Sequence, residues 1–220
     1  MTLRLSYGLV VELIEKLISS DLFFEYEYSK HRLVISEDVK ASPIFVRLPI
    51  HFKYPESLKN GTTRPVSHIT LLIKAGKSAI GYSQGEHLID HKVISTYMVR
   101  KKQGKSQIKY LKTKGKSRAG SRIRLANSVR FFEHINERLT QHFNRYRIDR
   151  ISMSCSKTLL PFLFQAKAGC PFNKKDERIY SIPRHIHQPD FKILKDTLQF
   201  LLRGDIHYEP SHQKLINKLM

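Results

Sequence analysis

The 220-residue chain predicts an α/β or α+β fold, with helices packed on a mixed sheet. Three observations lead there: a helical repeat near the amino terminus, short apolar runs in the middle that suit strands, and a long helical repeat directly after a polar basic segment. Hydrophobic residues at 40% and aromatic residues at 10% supply a core, which excludes a wholly disordered chain.

Leu9, Val10, Leu13, Ile14, Leu17 and Ile18 recur at helical spacing and predict an amphipathic helix from about Ser6 to Ser20. From Phe23 to Ile35 the period is closer to two, around a polar Ser29-Lys30-His31 turn, which predicts a hairpin. An apolar stretch from Ile44 to Leu48 is bounded by Pro43 and Pro49, and Pro55 to Pro65, with Asn60-Gly61, reads as a loop. Strands are expected at Ile69 to Lys74, Ala79 to Ser83 and Val93 to Val99, the first two joined by a short turn at Ala75-Gly76-Lys77-Ser78. A basic loop follows from Arg100 to about Ser117. Leu125, Val129, Phe132, Ile135, Leu139 and Phe143 then mark a long helix, with Ser117 or Ser121 as its N-cap. Ile148 to Met153 suits a strand, Thr158 to Ala168 a helix interrupted or started by Pro161, and Phe191 to Leu202 a last helix ended by Gly204. One domain is expected over residues 1–220, with 1–60 as an amino-terminal helix and hairpin elaboration.

Charge points towards a partner. The formal net charge is +20, and the stretch from His91 to Phe132 holds thirteen Lys and Arg with no Asp or Glu. Such an excess favours a polyanion, because phosphates neutralised by the protein release their counterions. Cys155 and Cys170 are too few for a disulfide scaffold, so a reducing compartment, the cytoplasm, is expected. Glu12, Glu15 and Lys16 interrupt the first apolar stretch before a signal-peptide core forms. No run approaches the roughly 18 apolar residues of a membrane span, so no membrane partner is expected.

Familiar catalytic and metal motifs are missing. His185 and His187 beside Cys155 and Cys170 match no usual zinc spacing, so neither metal nor cofactor is expected. Gly76-Lys77-Ser78 lacks the earlier glycine of a phosphate-binding loop and reads as a hairpin turn. No Gly-x-Ser-x-Gly occurs, and neither cysteine has a pattern that marks a nucleophile. The informative run is Arg100-Lys101-Lys102-Gln103-Gly104-Lys105-Ser106-Gln107. Gly104 lets a main-chain N–H come close to a ligand, and Gln107 can donate and accept hydrogen bonds without carrying charge. A loop of this kind could place an amide beside a reacting carbonyl or ribose, or serve as an RNA-binding loop without catalysis.

That run, followed by Lys116-Ser117-Arg118-Ala119-Gly120-Ser121-Arg122-Ile123-Arg124 and a long helix, resembles the catalytic domain of the release-factor-like proteins of ribosome-associated quality control. The family has bacterial relatives and is similar to the central domain of eukaryotic and archaeal peptide-chain release factors. Its loop reads Gly-Gly-Ser-Gln, preceded by Arg/Lys-Lys-Gln and followed by Ser-Ala-Gly-Ser. Gln103, Gly104, Ser106, Gln107, Ser117, Ala119, Gly120 and Ser121 match, whereas Lys105 replaces the second glycine and Arg118 is inserted. The resemblance implies an RNase H-like domain whose loop enters the peptidyl-transferase centre of the large ribosomal subunit and cleaves peptidyl-tRNA, at the ester or near the CCA end. Gln107, Ser106 and Gly104 would form the catalytic tip. Arg100, Lys101, Lys102, Lys105, Lys109, Lys116, Arg118, Arg122 and Arg124 would hold rRNA or tRNA phosphates. Two other readings stay open: a non-catalytic ribosome- or RNA-binding protein, and a generic RNase H-like nuclease, which needs a carboxylate cluster to hold magnesium.

Overall fold

The structure, a computed structural model, describes residues 1–36, 42–55, 64–96 and 117–220, with side chains from Val129 onward in the helix that begins at Ser117. Its strands form two five-stranded sheets. In sheet A the order is β1 (Thr2–Leu5), β10 (Gly204–His207), β4 (Ile44–Arg47), β3 (Arg32–Ser36) and β2 (Phe23–Glu27), all antiparallel. In sheet B it is β7 (His87–Ser95), β6 (Lys77–Gln84), β5 (Ser67–Lys74), β8 (Arg150–Cys155) and β9 (Ile179–Ser181). There β5, β6 and β7 form an antiparallel meander, while β8 and β9 run parallel to β5. Counted within sheet B the order is third, second, first, fourth, fifth, the arrangement of an RNase H-like sheet. The helices are α1 (Tyr7–Ile18), α2 (Ser117–Arg145), α3 (Leu160–Gln165), α4 (Phe191–Leu201) and α5 (Gln213–Leu219). The mixed α/β class is as the sequence predicts.

Strand alternation explains the layering. On β5 the side chains of Ile69, Leu71 and Ile73 face α2, where Phe131, Phe132, Ile135 and Leu139 complete one buried cluster. Leu72, on the opposite face, joins Leu194, Leu198 and Leu201 of α4 in another. Sheet B is therefore covered on both faces, which is why β5 is buried from Ser67 through Ile73, the polar Ser67, His68 and Thr70 included. Sheet A has a separate core, with Val10, Leu13, Ile14 and Leu17 of α1 and Ile216 and Leu219 of α5 packed on Leu33, Ile35, Val46 and Ile206. Each such side chain contributes roughly 1.5–3 kcal/mol on burial, set against the entropy of ordering the chain.

Most element positions match the sequence pattern. Ser6 caps α1, its Oγ accepting from the Leu9 N–H at 3.4 Å. Lys74 pairs with Lys77, so Ala75-Gly76 is a two-residue turn, closed by Gly76 at φ 79°. Several expectations need correction. β7 starts at His87 rather than Val93, because this edge strand is largely exposed and lacks an apolar repeat. The next strand lies at Arg150–Cys155, two residues later than expected, and α3 covers only Leu160–Gln165, with Pro161 in its first turn. Ser121 lies inside α2, not at its cap. Gly204 does not end α4; it is the first residue of β10. A Cβ at Gly204 would sit 2.8 Å from Val10 Cγ2 and 3.0 Å from the Arg47 carbonyl oxygen. Gly204→Ala is expected to cost about 1–3 kcal/mol, read as a lower urea midpoint at unchanged slope.

A polar chain joins the sheets. His31 is fully buried. Its Nε2 donates to the Pro49 carbonyl at 2.8 Å, and its Nδ1 accepts from the Tyr26 hydroxyl at 2.7 Å. Arg150 of β8 donates to that same hydroxyl at 2.8 Å. Burial, and then the charge of Arg150, hold His31 well below its ordinary pKa, so the ring is neutral and can accept. His68 on β5 is also buried, its Nε2 lying 3.2 Å from the Gly85 carbonyl, and burial lowers its pKa to about 4. Between the ordinary value near 6.5 and about 4, the unfolded chain takes up a proton that the native ring refuses. Stability therefore falls as pH drops through that window, by roughly 3 kcal/mol for His68 alone. Urea unfolding at stepped pH should show the decline, and His68→Gln should flatten it.

Candidate functional site

The residues at the predicted tip, Gly104, Lys105, Ser106 and Gln107, lie outside the described residues, together with Arg100, Lys101, Lys102, Lys109 and Lys116. What the structure defines is how the segment is held at both ends. It leaves sheet B after Ser95, where the Thr96 N–H donates to the Gly76 carbonyl at 2.8 Å, tying the strand end to the β5–β6 turn. It returns at Ser117 into α2, which carries positions 118, 122 and 124 in its first turns.

Strand and helix are clamped together. Asp90 on β7 accepts from Arg138 Nη2 of α2, and from His142 Nε2 at 3.2 Å. Burial would raise the Asp90 pKa, but the hydrogen bond from His142 and the charge of Arg138 outweigh it and hold the carboxyl below its ordinary range. His142 is itself lowered, chiefly by burial against the Asp90 hydrogen bond, so at neutral pH a neutral ring donates to a carboxylate. On the far side of α2, buried Asn136 donates from Nδ2 to the carbonyls of Leu163 at 2.8 Å and Ala168 at 2.7 Å, which fixes the 156–170 segment against the helix. Tyr82 of β6 stacks on Tyr146 just past the helix end, with ring centroids 3.9 Å apart. None of these contacts is legible beforehand, since Asp90 and Arg138 are 48 residues apart in sequence. Only the position of Asp90, the last acid before the acid-free stretch, hints at its role.

The helix is longer than the strands it packs on. Twenty-nine residues at 1.5 Å span about 43 Å, against about 26 Å for the eight residues of β5. Among the α2 residues whose side chains are described, those buried run from Phe131 to His142. The first turn holds no acidic residue. Acids are the usual stabilising choice there, since the helix amino terminus carries a partial positive charge. Basic positions at that end place two positive contributions together and favour an incoming anion.

The alternative chemistries find little support. Across the five strands of sheet B the single carboxylate is Asp90, already held by Arg138 and His142, so the strands supply no cluster for magnesium. Among the described residues no group of three or more His, Cys, Asp or Glu could hold a metal. His185 and His187 pack edge to face, 4.4 Å between centroids. Burial pushes both thiols, Cys155 and Cys170, up to about 11, so they stay protonated and poorly nucleophilic. No described helix is long and apolar enough to cross a membrane.

The profile of a family described as the Bacteroidetes VLRF1 release factor matches residues 68–209, which take in all of sheet B from its second residue, the basic segment, α2 and α4. The chain belongs to this release-factor family. Among solved structures, this VLRF1 family member is similar to one titled "Vms1 mitochondrial localization core", at 13% identity and a TM-score of 0.46, over 89% of this chain and 94% of that one. No curated protein matches it. The match begins at His68 in this release factor, so β1, α1 and β2 to β4 lie outside the family's matched region, although the four strands form one sheet with β10 inside it.

Proposed function

We propose that this release factor frees stalled nascent chains by cleaving peptidyl-tRNA on the large ribosomal subunit. The observation that carries the reading is the placement of the 20 residues 97–116 between a strand and a helix that Asp90, Arg138 and His142 clamp together, with the family match spanning all of it. Twenty residues folded back on themselves can reach at most about 35 Å from a fixed base. A base that does not give is what a probing segment of that length needs. Gln107 positions water or the terminal ribose, and Gly104 and Ser106 shape the approach. Arg100, Lys101, Lys102, Lys105, Lys109, Lys116, Arg118, Arg122 and Arg124 hold phosphates. Each such contact adds roughly 0.7–0.9 to the log–log salt slope of binding.

The test is incubation of the full chain with isolated stalled large subunits that carry labelled peptidyl-tRNA. Release of peptide is the expected outcome. An intact tRNA 3′ end then assigns the cut to the ester, and a shortened one assigns it to the phosphodiester near CCA. Tight binding with a comparable salt slope but no liberated peptide would make the protein a binding factor and sink the proposal. Release of peptide that leaves the tRNA phosphodiester chain uncut separates it from a metal-dependent nuclease.

A further inference from the structure

A second cationic surface lies at the opposite end of sheet B, where the carboxyl end of α4 meets β10 and β1. A groove of about 470 Å³ there is lined by Arg4, Arg184, Asp196, Gln199, Phe200, Arg203 and Asp205. It continues into a hollow of about 560 Å³ that shares Arg4, Gln199 and Arg203 and reaches Glu86 in the β6–β7 turn. Arginines near a helix end are ordinarily explained as caps for its last carbonyls. Here those carbonyls are taken: Phe200 O accepts from Arg47 Nη2 at 3.1 Å, and Leu201 O accepts from the Ile50 N–H at 2.8 Å. The neighbouring Asp205 is buried against Arg47, so it offers the groove no net charge. The Arg184 side chain reaches the Asp196 carbonyl at 3.5 Å and lies 5.9 Å from the Phe200 ring centroid, and the side chains of Arg4 and Arg203 have no ion-pair or hydrogen-bond partner among the described residues. Three guanidinium groups thus converge, opposed by Asp196 in the groove and Glu86 in the adjoining hollow, while Asp205 is neutralised by Arg47.

We propose that this groove binds backbone phosphates of RNA, as a contact separate from the basic segment. Guanidinium groups suit phosphate because their planar forks match its oxygens in pairs. A mononucleotide fits the geometry less well. The helix end that faces the groove is the carboxyl end, whose partial negative charge disfavours one concentrated phosphate, and no helix amino terminus points in. A base stacking on Phe200 would compete with guanidinium groups already there, Arg47 at 4.2 Å and Arg184 at 5.9 Å from the ring centroid. The groove opens beside the β6–β7 turn, whereas the basic segment leaves beside the β5–β6 turn, at the other end of β6. Eight residues of β6 separate the two turns, about 26 Å along the strand, so the two contacts must engage well-separated phosphates.

This inference does not rest on the cleavage reaction, because it concerns binding alone. The experiment measures affinity of the full chain for a fluorescently labelled, unacylated tRNA transcript across a salt series. The triple variant Arg4→Gln, Arg184→Gln, Arg203→Gln is expected to lower the log–log slope by about 2, while the corresponding triple Lys variant retains most of it. An unchanged slope in the Gln variant overturns the proposal. It also falls if AMP or inorganic phosphate at constant ionic strength protects these three arginines of the wild-type protein from phenylglyoxal while the transcript does not. That modification, read by mass spectrometry, needs no variant to fold: protection by the transcript and not by AMP or phosphate is the expected result.

Discussion

Gln107→Ala should bind stalled large subunits as tightly as the unaltered protein and release peptide at least about 10²-fold more slowly, the scale on which removing one positioned polar group slows acyl transfer. Binding and chemistry separate here because different side chains carry them. Nine cationic positions hold the phosphates in the proposed mechanism, whereas Gln107 has no charge and contributes little to affinity. Its amide supplies a donor and an acceptor on a side chain whose charge does not respond to the surrounding cations. Gln107→Glu keeps the shape but loses the donor and adds a negative charge facing phosphates, so it should fail as well. Undiminished release by the alanine variant would remove Gln107 from the mechanism. Lys105 can be tested in the same assay: Lys105→Gly restores the family's residue, and should keep release while reducing the salt slope by roughly 0.7–0.9.

The second large effect concerns stability. Asp205→Ala is expected to cost about 3–5 kcal/mol, because it strands a charge inside the protein. Arg47 and Asp205 are opposite one another on β4 and β10, with side chains only 6% and 10% exposed. Arg47 Nε donates to Asp205 Oδ2 at 2.9 Å, its Nη2 to the same oxygen and to Phe200 O, and its guanidinium lies over the Phe200 ring. With the carboxylate gone, the Phe200 carbonyl and ring and the Tyr180 hydroxyl, all uncharged, are left to compensate a buried cation. About a fifth or more of the stability of an ordinary domain would be lost. Urea unfolding measures the effect, and a loss below about 1 kcal/mol would show that the pair is solvated. The double change Arg47→Met, Asp205→Leu should recover most of the loss, since it removes both charges together.

Residues that bury themselves locally are the ones readable in advance. Val10, Leu13, Ile14 and Leu17 announce α1 because a single helix face meets one core, and Phe132, Ile135 and Leu139 announce α2 in the same way. β5 is readable because both of its faces are covered. β1 and β10 are not: each has four residues, and they pair with each other, Thr2 opposite His207, across nearly the whole chain. Neither strand carries a repeat long enough to register, and their partner is chosen by the folding of everything between them. The candidate site divides similarly. Gln107 and its cations stand out as a motif in an acid-free stretch, while Asp90, Arg138, His142 and the Arg4, Arg184 and Arg203 groove emerge only in three dimensions.

Composition and local pattern alone settle that this chain is basic, builds helices on sheet, and concentrates its positive charge in one segment before a long helix, because charge and amphipathic period are properties of neighbouring residues. The division into two sheets, the closing of one of them by both chain ends, the clamp at the base of the basic segment and the pairing of buried charges were decided by tertiary packing. Those features depend on contacts between residues 48 to more than 200 positions apart, and no local energy term favours such a pair until the intervening chain has brought its members together.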